Sequence, residues 1–147
     1  MKGYKHILLA VDFFELAHTV SSKAKSLAEM YNAKLSLIHV VDNMPVPDIG
    51  YGWDASFDVD LTSEMIEAAK KRLNGFAGSL GVDEADVWVE LGSPKSEITR
   101  VAEENNVDLI VVGSHGRHGL ALILGSTATG VLHHAKCDVL AVRLKDK

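Results

Sequence analysis

The sequence predicts a single α/β domain built on a doubly wound, five-stranded parallel sheet. Three observations carry that expectation: five short apolar runs of strand length, a helical stretch between each successive pair, and 147 residues, enough for one ordinary core. Strict alternation of strand and helix makes the strands parallel, because a right-handed crossover returns the chain to the same end of the sheet.

His6-Ile7-Leu8-Leu9-Ala10-Val11 is nearly continuous apolar, as in a strand covered on both faces, and Asp12 ends it. Val20, Ala24, Leu27, Ala28 and Tyr31 then recur at three- and four-residue spacing among Lys23, Lys25 and Glu29, which makes an amphipathic helix. Asn32, tolerant of the left-handed conformation, closes it. Leu35 to Val41 is the second strand, ended by Asp42. From Asn43 to Asp60 neither period is present. Pro45, Pro47, Gly50 and Gly52 punctuate this stretch, with Tyr51, Trp53 and Phe57 interspersed, so a long loop, functional or mobile, is expected. Leu61, Met65, Ala69, Leu73, Phe76 and Leu80 mark a long helix, weakened by Gly75 and Gly78 and stopped at Gly81.

Val87, Val89 and Leu91 alternate with Trp88 and Glu90, a strand with one less buried face. Ser93 then stands as helix cap and Pro94 at the first helical position. Ile98, Val101 and Ala102 stripe that helix, and Asn105-Asn106 end it. Asp108 to Val112 is the fourth strand; Ala128, Val131, Leu132 and Ala135 stripe the last helix. Asp138 to Leu144 is the fifth strand, with Arg143 suggesting an edge. Residues 1–147 thus read as one domain, without linker or repeat.

Composition narrows the function classes. Hydrophobic residues make up 47% and charged residues 24%, with a net charge of −5, which suits a globular protein and disfavours nucleic acid as a partner. No apolar run approaches membrane-spanning length, and the short Ile7 to Val11 run is too brief for a signal-peptide core. No membrane partner and a cytoplasmic location are the resulting expectations. Cys137 is the single cysteine and reads as a partly buried residue at a strand start.

The chemistry concentrates between Val107 and Thr127, VDLIVVGSHGRHGLALILGST. Here a buried strand breaks into Gly113-Ser114-His115-Gly116, and Gly125-Ser126-Thr127 opens the next helix. Small residues allow backbone amides to approach a phosphate, and a helix N-terminus favours negative charge. Asp12, directly after the first strand, is placed either to accept hydrogen bonds from a ribose or an adenine amino group or to cap the next turn; Asp42 leans to the cap. The glycine spacing matches neither a Walker A sequence nor Gly-x-Gly-x-x-Gly, and the loop contains no lysine, only Arg117. His115 and His118, three apart in a loop, and the adjacent His133 and His134 lack a completing Cys or Glu, so no metal site is expected. His115 has no recognisable nucleophile beside it, so no catalytic set is expected either.

His6 to Asp12, Asn32 to Val40, Val107 to Gly116, the Gly125-Ser126 pair and Asp138 to Val142 together resemble the universal stress protein family, over essentially the whole chain. The resemblance implies a Rossmann-like fold of the adenine nucleotide alpha hydrolase type with strand order 3-2-1-4-5. It also implies cytoplasmic residence, a role in the stress response, and a homodimer formed through the edge strand Asp138 to Leu144. In the family's nucleotide-binding branch, the residues matching Asp12, Val40, Gly113, His115, Gly116, Gly125, Ser126 and Thr127 line an ATP site, with Mg as a companion of the nucleotide. This chain departs from that branch twice. Eight residues separate Gly116 from Gly125 where the ATP-binding pattern has nine, and Phe13-Phe14 replace a small residue and a serine. Two readings follow: a module that binds ATP or a related adenine nucleotide, and a stress protein that binds none and acts through protein–protein contacts. A weak nucleotide hydrolase is a third, with slow hydrolysis as a by-product of binding.

Overall fold

The computed structural model describes residues 3–12, 17–42, 55–114 and 126–143. Five strands, β1 (His6–Ala10), β2 (Lys34–Asp42), β3 (Val87–Gly92), β4 (Leu109–Gly113) and β5 (Asp138–Val142), form one sheet in the order β3-β2-β1-β4-β5. Every pairing is parallel. Four helices connect them: α1 (Ala17–Tyr31), α2 (Ala55–Leu80), α3 (Pro94–Glu104) and α4 (Ser126–His134).

Residue parity decides which helix covers which face. Ile7, Leu9, Leu37, Leu109 and Val111 pack with Val20, Ala24 and Ala28 of α1 and with Leu73 and Ala77 of α2. Leu8, Ile38, Ile110 and Val112 pack on the other face with Ile98, Val101 and Ala102 of α3 and with Ala128 and Val131 of α4. Both faces of the central strands are therefore dry, which explains their unbroken apolar sequences. The two helices after β1 and β2 lie on one face and the two after β3 and β4 on the other. The winding therefore reverses between β1 and β4.

The amino ends of the strands are tied together by a polar network. The backbone amides of Lys5 and His6 donate to the Asp108 carboxylate at 2.9 and 3.0 Å, and the Asp108 amide donates to the His6 carbonyl at 3.0 Å. His6 Nε2 meets the fully buried Ser36 Oγ at 2.7 Å, and Nδ1 meets the Asn105 carbonyl at 3.1 Å. Burial holds the His6 imidazole below its ordinary pKa.

Several boundaries differ from the sequence expectation. The helix expected from Leu61 begins at Ala55, so the aperiodic stretch ends six residues sooner than Asp60. Residues 43–54 lie outside the described ones, as do Phe13 and Phe14. A 3-10 turn, Glu84–Asp86, precedes β3. β4 starts at Leu109 rather than Asp108, whose amide still donates to the His6 carbonyl while its carboxylate accepts from the Lys5 and His6 amides. β5 ends at Val142, and Leu144 lies outside the described residues. Ser93 occupies the cap position of α3 with Pro94 after it, but its side chain makes no capping hydrogen bond; its carbonyl accepts from the Glu97 amide at 2.9 Å. Asn32 and Gly81 take positive φ, 53° and 72°, at the ends of their helices, and Asn106 does so at 55°.

Candidate functional site

In an open parallel sheet the crevice lies outside the carboxyl ends of the strands where the winding reverses. Here that point is flanked by the ends of β1 and β4. Val11 continues the β1–β2 pairing beyond Ala10, its amide donating to the Ile38 carbonyl at 2.8 Å. His39 Nδ1 then donates to the Val11 carbonyl at 2.8 Å. A carbonyl oxygen only accepts, so this contact requires the proton on Nδ1. Together the two bonds fix the backbone immediately before Asp12, which is exposed at the sheet edge.

Val40, next along β2, is half-buried, and its side chain packs against the core shared by α3 and α4. On the other side of the reversal, Gly113 pairs with Val142 as the last residue of β4. The chain does not leave the sheet at once, since the Ser114 amide donates to the Val142 carbonyl at 2.8 Å and Ser114 is buried. α4 returns to the same edge with exposed Ser126 as its first residue and half-buried Thr127 as its second. Amides in the first turn of a helix have no partner within it and present partial positive charge.

Of the sequence-derived candidates, the structure thus places Asp12, Val40, Gly113, Ser126 and Thr127 on elements that end or begin at one edge. His115, Gly116 and Gly125 lie outside the described residues, as do Arg117 and His118. The arrangement suits an anionic ligand with a hydrogen-bonding head group: strand-end backbone and a carboxylate on the β1/β2 side, a helix N-terminus on the β4 side. His39 carries no signal of its role in the sequence, since its partner is a backbone carbonyl that only the fold brings near.

The opposite edge is of different character. A cavity of about 180 Å³ opens there, between the end of α3 and the start of β5, with Ala102, Val107, Ile110 and Cys137 in its lining. Burial pushes the Cys137 thiol above its ordinary pKa, so it is a poor nucleophile. No described helix is long and apolar enough to cross a membrane.

Comparison with known proteins agrees with this architecture. The family model of the universal stress protein family matches residues 3–143. Universal stress protein A homolog 2 of Coxiella burnetii is 44% identical over 99% of this chain and 99% of its own length. Among solved structures, hypothetical protein MJ0577 superimposes with a TM-score of 0.82 at 28% identity, covering 98% of this chain and 99% of that one. A universal stress protein solved in complex with cAMP shares the fold, with a TM-score of 0.65 at 24% identity over 96% of this chain and 98% of its own. Strand order, site position and sequence lead to one conclusion: the chain belongs to the universal stress protein family.

Proposed function

We propose that this protein is a stress-response module that binds ATP or a related adenine nucleotide at the carboxyl ends of β1, β2 and β4. The observation that carries the reading is the convergence of Asp12, Val40, Gly113 and the α4 N-terminus at the point where the winding reverses. In this arrangement the β1/β2 side takes the adenosine, with Asp12 accepting from ribose or adenine. The glycines and the hydroxyls of Ser126 and Thr127 take the phosphates, helped by the helix N-terminus. Mg²⁺ prefers oxygen ligands and keeps several waters, so a nucleotide-bound Mg²⁺ needs few protein donors; Asp12 is a described carboxylate at this edge, on the β1 side of the reversal. The fold of the cAMP-complexed neighbour is compatible with an adenine ligand. The reading assigns binding rather than catalysis, with any hydrolysis slow and incidental.

The same reading has the protein act in the cytoplasm as a homodimer through β5. β5 and β3 are the two edge strands. β3 carries Glu90, paired with Arg100 at 3.4 Å, whereas Val139, Leu140 and Ala141 give β5 an uncharged middle. Charged edges resist strand addition and uncharged ones invite it. A second reading, a stress protein that binds no nucleotide and acts by protein contact, is favoured by the eight-residue spacing between Gly116 and Gly125.

Calorimetric titration with ATP separates the two. Saturable binding, abolished by Gly116→Val, supports the nucleotide module; no heat and no thermal shift at millimolar ATP supports the alternative.

A further inference from the structure

The glycine loop contains no lysine of the kind a P-loop adds to its backbone amides, and Arg117 is its one Lys or Arg residue. The structure assigns that role to Lys95 of α3: we propose that its ammonium contacts the terminal phosphates of a bound nucleotide and makes the site prefer polyphosphates. The inference rests on the nucleotide reading above.

Three observations place Lys95 there. α3 follows β3, so its first turn stands at the carboxyl edge, and Lys95 is the second residue of that turn. Its aliphatic stem lies across α4 at Gly130, where a Cβ would come within 2.6 Å of Lys95 Cδ and 2.7 Å of its Cβ. Only a glycine leaves room for the stem at this crossing. Gly130 is four residues from Ser126, so the two share one face of α4, separated by about one 5.4 Å turn.

Helical side chains lean toward the N-terminus of their own helix. For Lys95 that direction is the carboxyl edge, along α4 from Gly130 toward Ser126. The ammonium sits two bonds beyond Cδ and is exposed. Among the described residues, no ion pair or hydrogen bond engages it; the described lysine ion pairs belong to Lys34, Lys70 and Lys136. A cation whose stem is held and whose head is uncommitted loses little freedom on meeting a phosphate.

The test compares dissociation constants for ATP and adenosine in the unaltered protein and in Lys95→Met, Lys95→Arg and Lys71→Met. Methionine keeps the packing stem and removes the charge, and Lys71 on α2 controls for net charge. The expected result is roughly a 10- to 100-fold loss of ATP affinity in Lys95→Met, with adenosine affinity unchanged, partial recovery in Lys95→Arg and no effect in Lys71→Met. An ATP affinity within twofold of the unaltered protein, or equal losses for ATP and adenosine, overturns the role of Lys95 while leaving the nucleotide reading intact. If the unaltered protein binds neither ligand, the nucleotide reading falls and this inference with it.

Discussion

At the scale of single residues, His6 sits between two partners that fix the tautomer of its neutral ring, in a buried place that disfavours its charge. The Asn105 carbonyl can only accept, so the neutral ring carries its proton on Nδ1, and Nε2 accepts from the Ser36 hydroxyl. Protonation makes both nitrogens donors in a buried place. Desolvation lowers the pKa first; the Asn105 bond opposes it, Lys34 adds to it, and Asp86 and Asp108 oppose it. With the folded pKa below the ordinary 6.5, the unfolded chain binds the proton more readily. Stability is therefore fully present above pH 6.5 and declines as pH falls from there toward the folded pKa. Urea unfolding across pH 5 to 8 should show this decline, and His6→Gln should flatten it; an unchanged slope in the variant would move its origin elsewhere. Ser36→Ala leaves Nε2 buried without its donor and should cost about 1–3 kcal/mol in the same assay at pH 7.5. Gly130→Ala sets helix propensity against crowding. Its gain of roughly 0.5–1 kcal/mol is outweighed by overpacking of about 1–3 kcal/mol, because the atoms it meets include Lys95 Cβ, which moves only with the α3 backbone. A lowered melting temperature is the expected outcome. At this scale the conformational residues, Asn32 and Gly81, were legible from type and position alone. His39 and Lys95 were not, because each acquires its role from a contact between elements distant in sequence.

Among the elements, α3 separates packing from surface charge most clearly. Ile98 is 3% exposed in the core between α3 and the sheet, and Ile98→Ala should destabilise the protein by about 2–5 kcal/mol. Arg100, on the outer side of the same helix, reaches Glu97, Glu104 and Glu90 at 2.8, 3.0 and 3.4 Å, yet all four are solvent-accessible. Arg100→Ala should therefore cost less than about 1 kcal/mol, and less still at high salt. Chemical denaturation of the two variants measures the contrast, and similar losses would mean that the ion-pair cluster matters more than its exposure implies. The strands and most helices could be read from periodicity because both faces of the central strands are covered. The start of α2 could not. Its first residues, Ala55 to Asp60, include Asp58 and Asp60, poor helix formers in general that suit the positive end of a helix, and the Pro and Gly residues upstream read as loop. The 3-10 turn before β3 is too short to leave a period.

Over the whole molecule, the sheet divides the labour between its two edges. The amino edge is closed by the Asp108 and His6 network, and the carboxyl edge gathers the strand ends and the α4 N-terminus. Strand–helix alternation alone placed ligands at the carboxyl edge; the strand order 3-2-1-4-5 implied by the family resemblance, and found in the sheet, puts the switch point between β1 and β4. Neither could decide the ligand, because amide directions in a glycine loop depend on backbone angles that residue types only bias. The most direct test of the account is a backbone amide NMR titration with ATP. Saturable shifts should cluster at Val40, Gly113, Ser126 and Thr127 while Asn105 and Cys137 stay fixed. Absence of shifts at millimolar ATP, or shifts gathered at the amino edge, would contradict it.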